Sequence, residues 1–404
     1  MFVIYDLIFL LYALVYLPYL FLTRRGYAGY GMRFGLFPSL LRAQIKAKKN
    51  IWLHAVSVGE VMVIDGFIDQ LKKSYPDYQM IISVTTKTGF ELARQRLTGK
   101  ALVIASPIDL SFVAGRFVSL IDPKMYIAAE TEIWPNLYRK LYLDRVPLVV
   151  INGRISDGSF GRYKAVRWWL KGVLNQVSLW CMQSQRDADR ILALGAEPAR
   201  VFMMGNLKFD EFSQIPESPP VKMTGGKNEL WWVAGSTHPG EEEMVLDVYD
   251  KVKKDNPKWR LVIVPRHVER SPQINELIKS RGIKDVIVID TIGQLRFLYS
   301  KASLVFVGKS LCVGGGHNII EPAYYGKAIV IGPMVWNFRD IVACFREKNA
   351  VVQVEDARSF EIAVRDLCAD ASKREILGIA ARAVVSENQG AGQRILEHLA
   401  GLLP

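Results

Sequence analysis

Two patterns of hydrophobic positions divide this chain. Phe2 to Leu22 is a nearly unbroken run of Phe, Ile, Leu, Val, Tyr and Ala, whereas from Ile51 onward short apolar runs alternate with amphipathic stretches. Short runs without polar alternation predict strands buried on both faces, as in a parallel sheet covered by helices. They fall at Ile51–Val56, Met80–Val84, Ala101–Ile104, Met125–Ala129, Leu148–Ile151, Leu179–Met182 and Val201–Met204, with helices such as Gly89–Arg96 and Arg186–Leu194 between them. A proline- and glycine-rich break at 212–228 precedes a second set: Leu230–Ala234, Arg260–Val264, Val286–Ile289, Leu304–Val307, Ala328–Ile331 and Ala350–Val354. Helices Ser359–Ala369, Lys373–Glu387 and Ala391–Leu403 follow. The pattern predicts two β-α-β domains at 51–211 and 229–404 joined by a linker, with the last helix a candidate to cross back. A chain of 404 residues is long enough for both cores.

The N-terminal run is long enough to cross a hydrocarbon layer of ~30 Å, although Asp6 and Pro18 interrupt it. No basic residue precedes it and no small-residue cleavage pattern follows, so residues 1–23 read as an anchor rather than a removable signal. Residues 24–50 then carry Arg24, Arg25, Arg33, Arg42, Lys46, Lys48 and Lys49, with no acid before Glu60. That asymmetry predicts that everything beyond the anchor lies in the cytoplasm. The mixture of apolar and basic residues over Phe34–Lys49 predicts an interfacial helix on anionic lipid. A buried N-terminal hairpin is the competing reading, and the folded body is expected to start near Ile51.

Lysine and arginine outnumber acids 52 to 40, a formal charge of +12. The excess raises nucleic acid as a partner, but no nucleic-acid module is present and the basic residues crowd beside the apolar run. A membrane surface accounts for the charge better. Cys181, Cys312, Cys344 and Cys368 form no C-x-x-C pair, which predicts neither zinc site nor disulfide framework, and a reducing compartment.

Three strand-to-helix loops carry candidate chemistry. Val313–Pro322 reads V-G-G-G-H-N-I-I-E-P after Leu304–Val307. Its glycines would let backbone approach a phosphate at a helix start, with Glu321 placed for a ribose hydroxyl, although an ordinary tight turn reads the same way. Gly235-Ser236-Thr237-His238-Pro239-Gly240 before Glu241–Glu243, and Ser57-Val58-Gly59-Glu60 before a helix expected from Val61, have the same form. Ser57, Gly59, Ser236, Thr237, Gly315 and Gly316 are therefore phosphate-loop candidates. Glu60 fits a general base with space beside it, and position alone fits a helix-dipole role equally well. Glu130 and Glu132, in E-T-E-I-W-P-N after an apolar strand, need partners or a function to offset burial. Lys208 in G-N-L-K-F-D reads as a solvated lysine or as a counter-charge for a substrate anion. Arg266, closing a strand, suits a phosphate or carboxylate. His238, His267 and His317 lack helical i,i+4 spacing, which disfavours a metal.

Taken together, S-V-G-E at 57–60, E-T-E-I-W-P-N at 130–136, G-N-L-K-F-D at 205–210, S-T-H-P-G-E at 236–241, V-P-R-H at 264–267 and G-G-H-N-I-I-E at 315–321 resemble the 3-deoxy-D-manno-octulosonic acid (Kdo) transferases of lipopolysaccharide assembly. The resemblance covers nearly the whole chain in order, the N-terminal anchor included. It implies a GT-B fold, two Rossmann-like domains facing a central cleft, preceded by an N-terminal membrane anchor helix. It implies an inverting, metal-independent transferase with no cofactor, CMP-Kdo as donor and the lipid A precursor (lipid IVA) as acceptor. By matched position Glu60 is the proton acceptor, Glu130 and Lys208 stabilise the transition state, and Arg266, His267, Ile292, Gly293, Gln294, Asn318, Ile319, Ile320 and Glu321 bind CMP. Lys309 departs from the family, where a small residue is more frequent. Two competing readings remain at this level: a nucleotide-sugar 2-epimerase of the same fold, and a non-catalytic membrane-tethered nucleotide-binding module.

Overall fold

The computed structural model describes residues 4–7, 9–11, 30–210, 229–291 and 293–403. The linker expected at 212–228, most of the anchor expected at Phe2–Leu22, and Ile292 lie outside the described residues. Among the described residues, no helix is long and apolar enough to cross a membrane.

They divide into two compact units, one drawn from Met1–Glu211 with Gln389–Pro404 and the other from Phe212–Asn388. The first is a 7-stranded parallel sheet: β1 (Lys49–Ala55), β2 (Tyr78–Val84), β3 (Leu102–Ala105), β4 (Pro123–Ala129), β5 (Leu148–Gly153), β6 (Leu179–Met182) and β7 (Val201–Met203). Its order is β3-β2-β1-β4-β5-β6-β7. Trp52 on β1 packs with Phe117, Tyr126 and Tyr138 in one layer, while Ile51, Leu53 and Ala55 pack with Val61 and Phe67 in the other. Successive strand residues point to opposite faces, so burial of both faces requires the continuous apolar runs seen in the sequence.

The second unit repeats the arrangement with β8 (Leu230–Thr237), β9 (Trp259–Pro265), β10 (Val286–Val288), β11 (Leu304–Val307), β12 (Ala328–Ile331) and β13 (Val352–Gln353). The order is β10-β9-β8-β11-β12-β13, again parallel, with Trp232, Tyr249, Phe306 and Phe360 in its core. In both sheets the order reverses between two neighbours, β1/β4 and β8/β11. Ligands of open α/β sheets bind beyond the carboxyl ends of strands at such a switch point.

The C-terminal helix, Ala391–Leu399, belongs to the first unit, where Ala391, Ile395 and Leu399 enter the core. Asp210 fixes its start by accepting hydrogen bonds from the Gly390 and Gly392 amides at 2.7 and 2.6 Å.

One N-terminal expectation is corrected. The interfacial helix over Phe34–Lys49 is only Ser39–Lys46, because Phe37 and Ile45 are drawn into the core and Lys49 already begins β1. The Phe37 ring meets Phe117 edge-on at 5.0 Å. The first strand of the folded body begins at Lys49, close to the expected Ile51, and Phe9 ahead of it also packs against this core. Leu36 and Leu40 remain exposed beside Arg42 and Lys46.

Candidate active site

In the first unit the site begins with a reciprocal cap. Ser57 precedes the helix Val58–Ser74, and its hydroxyl oxygen accepts the Glu60 amide at 3.4 Å. The Ser57 hydroxyl in turn donates to Glu60 Oε1 at 2.8 Å, and the Val56 amide donates to Oε2 at 2.6 Å. This S-x-x-E spacing starts the helix three residues before the expected Val61 and brings the Glu60 carboxylate back over the end of β1. Glu60 is 5% exposed. Burial, then the neighbouring Glu130 and Glu132 carboxylates, push its pKa up to about 7 against the pull of Val56 N–H and Ser57. A carboxylate poised there can take a proton near neutral pH. An added Cβ at Gly59 would meet nothing nearer than Ser57 Oγ at 3.7 Å, so there is room at the residue before Glu60. In this ligand-free arrangement the Ser57 hydroxyl and the Val56 amide, two of the loop's donors, both turn to the Glu60 carboxylate.

Glu130 follows β4 in the left-handed region, φ 57°, with its amide donating to Ile151 O at 2.9 Å. Its Oε1 lies 3.6 Å from Lys208 Nζ. Glu132 is pushed up to about 7 by burial and then by Glu130. The loop is braced by Thr131 Oγ1, which accepts the Arg154 amide at 2.8 Å, and by Trp134, whose ring meets the buried His54 ring edge-on at 5.7 Å. Lys208 is held through a polar chain. Its amide donates to Asn206 Oδ1 at 3.0 Å, Asn206 Nδ2 donates to Gln183 Oε1 at 3.0 Å, and Gln183 Nε2 donates to Asn152 O at 2.8 Å. Asn152 Oδ1 closes the chain by accepting the Leu207 amide at 3.0 Å. Sequence reasoning passed over Asn152 and Gln183, although polar residues at the ends of the apolar strands β5 and β6 were the available signal. Glu60, Glu130, Glu132 and Lys208 thus gather beyond β1 and β4, at the switch point.

The second unit places a different set at the corresponding strand ends. Glu241, at the start of the helix Glu241–Asp255, is fully buried. Its Oε2 accepts the amides of His238 and Lys309 at 2.9 and 2.8 Å, and its Oε1 those of Ser310 and Leu311 at 2.9 and 3.0 Å. Thr237 is fully buried as well, its Oγ1 meeting no hydrogen-bond partner among the described residues, while Ser236 takes the left-handed turn, φ 55°. The Gly314–Gly316 glycines answer first to packing. A Cβ at Gly314 would fall 1.6 Å from Trp336 Cη2, one at Gly315 2.6 Å from Asn337 Nδ2, and one at Gly316 3.2 Å from the Val335 Cα. The helix after them, Ile320–Tyr324, has only five residues, and Asn318 Oδ1 accepts the Ile320 amide at 3.0 Å.

Around these loops stand His238, His317 and His267. The His238 and His317 rings stack at 5.5 Å with Nε2 atoms 3.3 Å apart, and His267 meets His238 edge-on at 5.6 Å. Burial, followed by Lys309 and then His267, Arg266 and Arg270, lowers His238 to about 4. Burial, followed by His238, Arg266 and Lys309, lowers His317 to about 3. Neutral imidazoles among three cations make a basin suited to an anion. Arg266 and His267 are exposed, and the Arg266 amide donates to Thr237 O at 3.0 Å. Ile319 and Ile320 are buried, so only their backbone can meet a ligand. Glu321 Oε1 lies 3.5 Å from Arg296 Nε, and Gly293, φ 94°, with Gln294 leads into the helix Leu295–Lys301. Among the described residues, no three His, Cys, Asp or Glu side chains gather as a metal site.

A family model for 3-deoxy-D-manno-octulosonic-acid transferase (kdotransferase) matches residues 28–211, and one for glycosyl transferases group 1 matches 241–384. The 3-deoxy-D-manno-octulosonic acid transferase of Haemophilus influenzae is 31% identical over 388 residues, covering 91% of this chain and 90% of that protein. A bifunctional glycosyltransferase/methyltransferase of Fusobacterium nucleatum is 35% identical over 349 residues, which are 80% of this chain and about half, 53%, of that protein. Among solved structures, a UDP-GlcNAc 2-epimerase from Neisseria meningitidis matches with a TM-score of 0.61 over 87% of this chain and 100% of that one. At 12% identity that match speaks for the fold alone.

Proposed function

Because this chain belongs to the 3-deoxy-D-manno-octulosonic acid transferase family, we propose that it moves Kdo from CMP-Kdo to a hydroxyl of the lipid A precursor with inversion. The observation that carries the reading is Glu60, a buried carboxylate poised near neutrality at the β1/β4 switch point, with room at the preceding Gly59. The acceptor hydroxyl attacks the anomeric carbon of Kdo and passes its proton to Glu60. The bond from that carbon to the phosphate oxygen breaks, and CMP leaves with the electron pair. Single displacement from the opposite face inverts the centre. Lys208 paired with Glu130 steadies charge on the acceptor side, and Arg266 with Lys309 and His267 receives the phosphate. Gly293, Gln294, Asn318, the Ile319 and Ile320 backbone and Glu321 complete the nucleotide side, and cationic side chains take the role a metal plays elsewhere.

The acceptor is an acylated, acidic lipid, and we place the enzyme on the cytoplasmic face of the inner membrane. Ile4, Leu7, Leu10 and Leu11 are exposed on the helical residues 4–7 and 9–11, as are Leu36 and Leu40 beside basic residues. Apolar groups flanked by cations suit an anionic lipid surface. The test is incubation of the purified chain with CMP-Kdo, with and without lipid A precursor, in the presence of a chelator. Release of CMP that requires the acceptor and survives chelation is the expected result; CMP release indifferent to the acceptor overturns the reading.

A further inference from the structure

We propose that Asp6 is a positioning residue: through Asn136 it sets the Glu130–Trp134 loop, so that the N-terminal helical segment is part of the catalytic framework and not only a means of attachment. This rests on the function proposed above. Two of the first unit's helices near this loop begin without a side-chain cap at the preceding residue. Ser111–Ile121 follows Leu110 and Pro135–Leu143 follows Trp134, and neither preceding residue makes a side-chain cap. Both caps come from elsewhere. Asp109 accepts the amides of Asn136 and Leu137 at 3.2 and 2.9 Å. Asp6, 105 positions upstream of Ser111, accepts the Ser111 amide on Oδ1 at 3.2 Å and the Ser111 hydroxyl on Oδ2 at 2.6 Å.

The two caps meet at Asn136, which is 3% exposed. Asn136 Nδ2 donates to Asp6 Oδ1 at 2.6 Å and to Asp109 O at 2.8 Å, and the Ser111 hydroxyl lies 3.1 Å from Asn136 Oδ1. Tyr5, beside Asp6, donates its hydroxyl to Asp109 and stacks obliquely on Trp169 at 5.9 Å. Asn136 closes the segment that starts at Glu130, and Tyr138, two residues on, donates its hydroxyl to Glu132 O. The loop holding two of the site's carboxylates is therefore pinned at its far end by a residue that answers to Asp6. A charge inside an apolar N-terminal run disfavours burial in lipid, and this network is what it serves instead.

The contacts predict an unusual substitution pattern. In Asp6→Asn, the amide oxygen takes the place of Oδ1 and still accepts from Ser111 N and Asn136 Nδ2. Its NH2 replaces Oδ2 and donates to Ser111 Oγ, which turns its own proton to Asn136 Oδ1. Asp6→Ala loses all three bonds. In the full-length chain, we expect D6A to lower kcat roughly ten- to a hundredfold with the KM for CMP-Kdo unchanged, as a displaced catalytic group does. D6N should stay within roughly threefold of wild type, since every bond is replaced. Ser111→Ala should show a smaller loss than D6A in the same direction. Hydrogen exchange gives a readout independent of activity: D6A and S111A should speed exchange at the Asn136 and Leu137 amides while the β1 and β5 amides stay protected, and D6N should not. Wild-type turnover with D6A at unaltered kcat overturns the inference, as does a D6N loss equal to that of D6A. If D6A fails to fold, S111A with full turnover and unaltered exchange overturns it too. A wild-type chain that transfers no Kdo sinks the functional reading instead, and the exchange pattern still tests the network.

Discussion

Glu60 and Glu241 occupy matching places, each in the first turn of the helix after the leading strand of its sheet, each buried, each holding donors from its own loop. The partners differ in kind. Glu241 binds four backbone amides, which can only donate. Glu60 binds one amide and the Ser57 hydroxyl, which can donate or accept. Burial pushes the Glu241 pKa up, and the four fixed donors work against that push, favour the accepting carboxylate and make it part of the loop's structure. One facing a reversible partner can gain and lose a proton without stranding a neighbour. The same topology therefore yields a base in one unit and a structural clasp in the other, and the surrounding charges follow suit: carboxylates gather around Glu60, cations and neutral histidines around Glu241's loops.

Neutralising each carboxylate tests this most sharply. Glu60→Gln should cut kcat roughly 10²–10⁴-fold, the usual contribution of a general base, with the fold and the CMP-Kdo KM preserved. Its NH2 can donate to Ser57 Oγ while its oxygen accepts Val56 N–H, so little strain follows. Turnover near wild type would return Glu60 to a helix-dipole role. Glu241→Gln should instead act on stability, because its NH2 faces two amide donors. Stranding two buried N–H groups costs roughly 3 kcal/mol or more, readable as a lower denaturation midpoint of the second unit. If E60Q proved the more destabilising of the two, the distinction between reversible and fixed partners would fail.

Smaller effects sharpen the electrostatic half. Arg266→Ala should raise the CMP-Kdo KM roughly tenfold or more, the worth of a charge-assisted bond, and spare the acceptor KM; weakened acceptor use alone would reverse the roles of the two units. With the Glu60 pKa raised to about 7, kcat/KM should fall roughly tenfold per pH unit below that value. The stability sign is opposite. A folded-state pKa raised from 4.5 means Glu60's stabilising contribution is full below pH 4.5 and is lost as pH rises through 7, so wild type should lose Tm relative to E60Q across that window. The smallest effect is a near absence: with His238 and His317 lowered to about 4 and 3, donor KM should change less than about twofold from pH 6 to 8 on their account.

How much of this was visible in the chain varies with how local the cause is. Strands such as Leu304–Val307 and Leu179–Met182 were readable to the residue, because burial on both faces forces continuous apolar runs. β13 was expected over Ala350–Val354 and pairs only at Val352–Gln353, since edge pairing depends on a neighbour the run itself does not specify. The S-x-x-E spacing of Ser57 and Glu60 held the signal for their cap, yet the helix was expected only from Val61 and starts at Val58. Glu241's clasp was not legible, because three of the four amides it holds lie about 70 residues away at Lys309–Leu311. The Gly314–Gly316 run was legible as unusual, but its cause, Trp336 filling the place of a Cβ, is tertiary. Asp6 read as a blemish in an apolar segment for the same reason: its partners are Ser111 and Asn136.

The return of the helix Ala391–Leu399 to the first unit bears on the timing of synthesis. A ribosome emits chain from the N-terminus at ~5–20 residues per second, and domains close as their last strands and helices emerge. Here β1 to β7 are made first, yet Ala391, Ile395 and Leu399, which finish one face of that sheet, come out after the whole second unit. The earliest-born unit is thus the last to be sealed. During that interval the uncovered Met204 and Leu207 side of the sheet is a nascent-chain surface for a chaperone to shield.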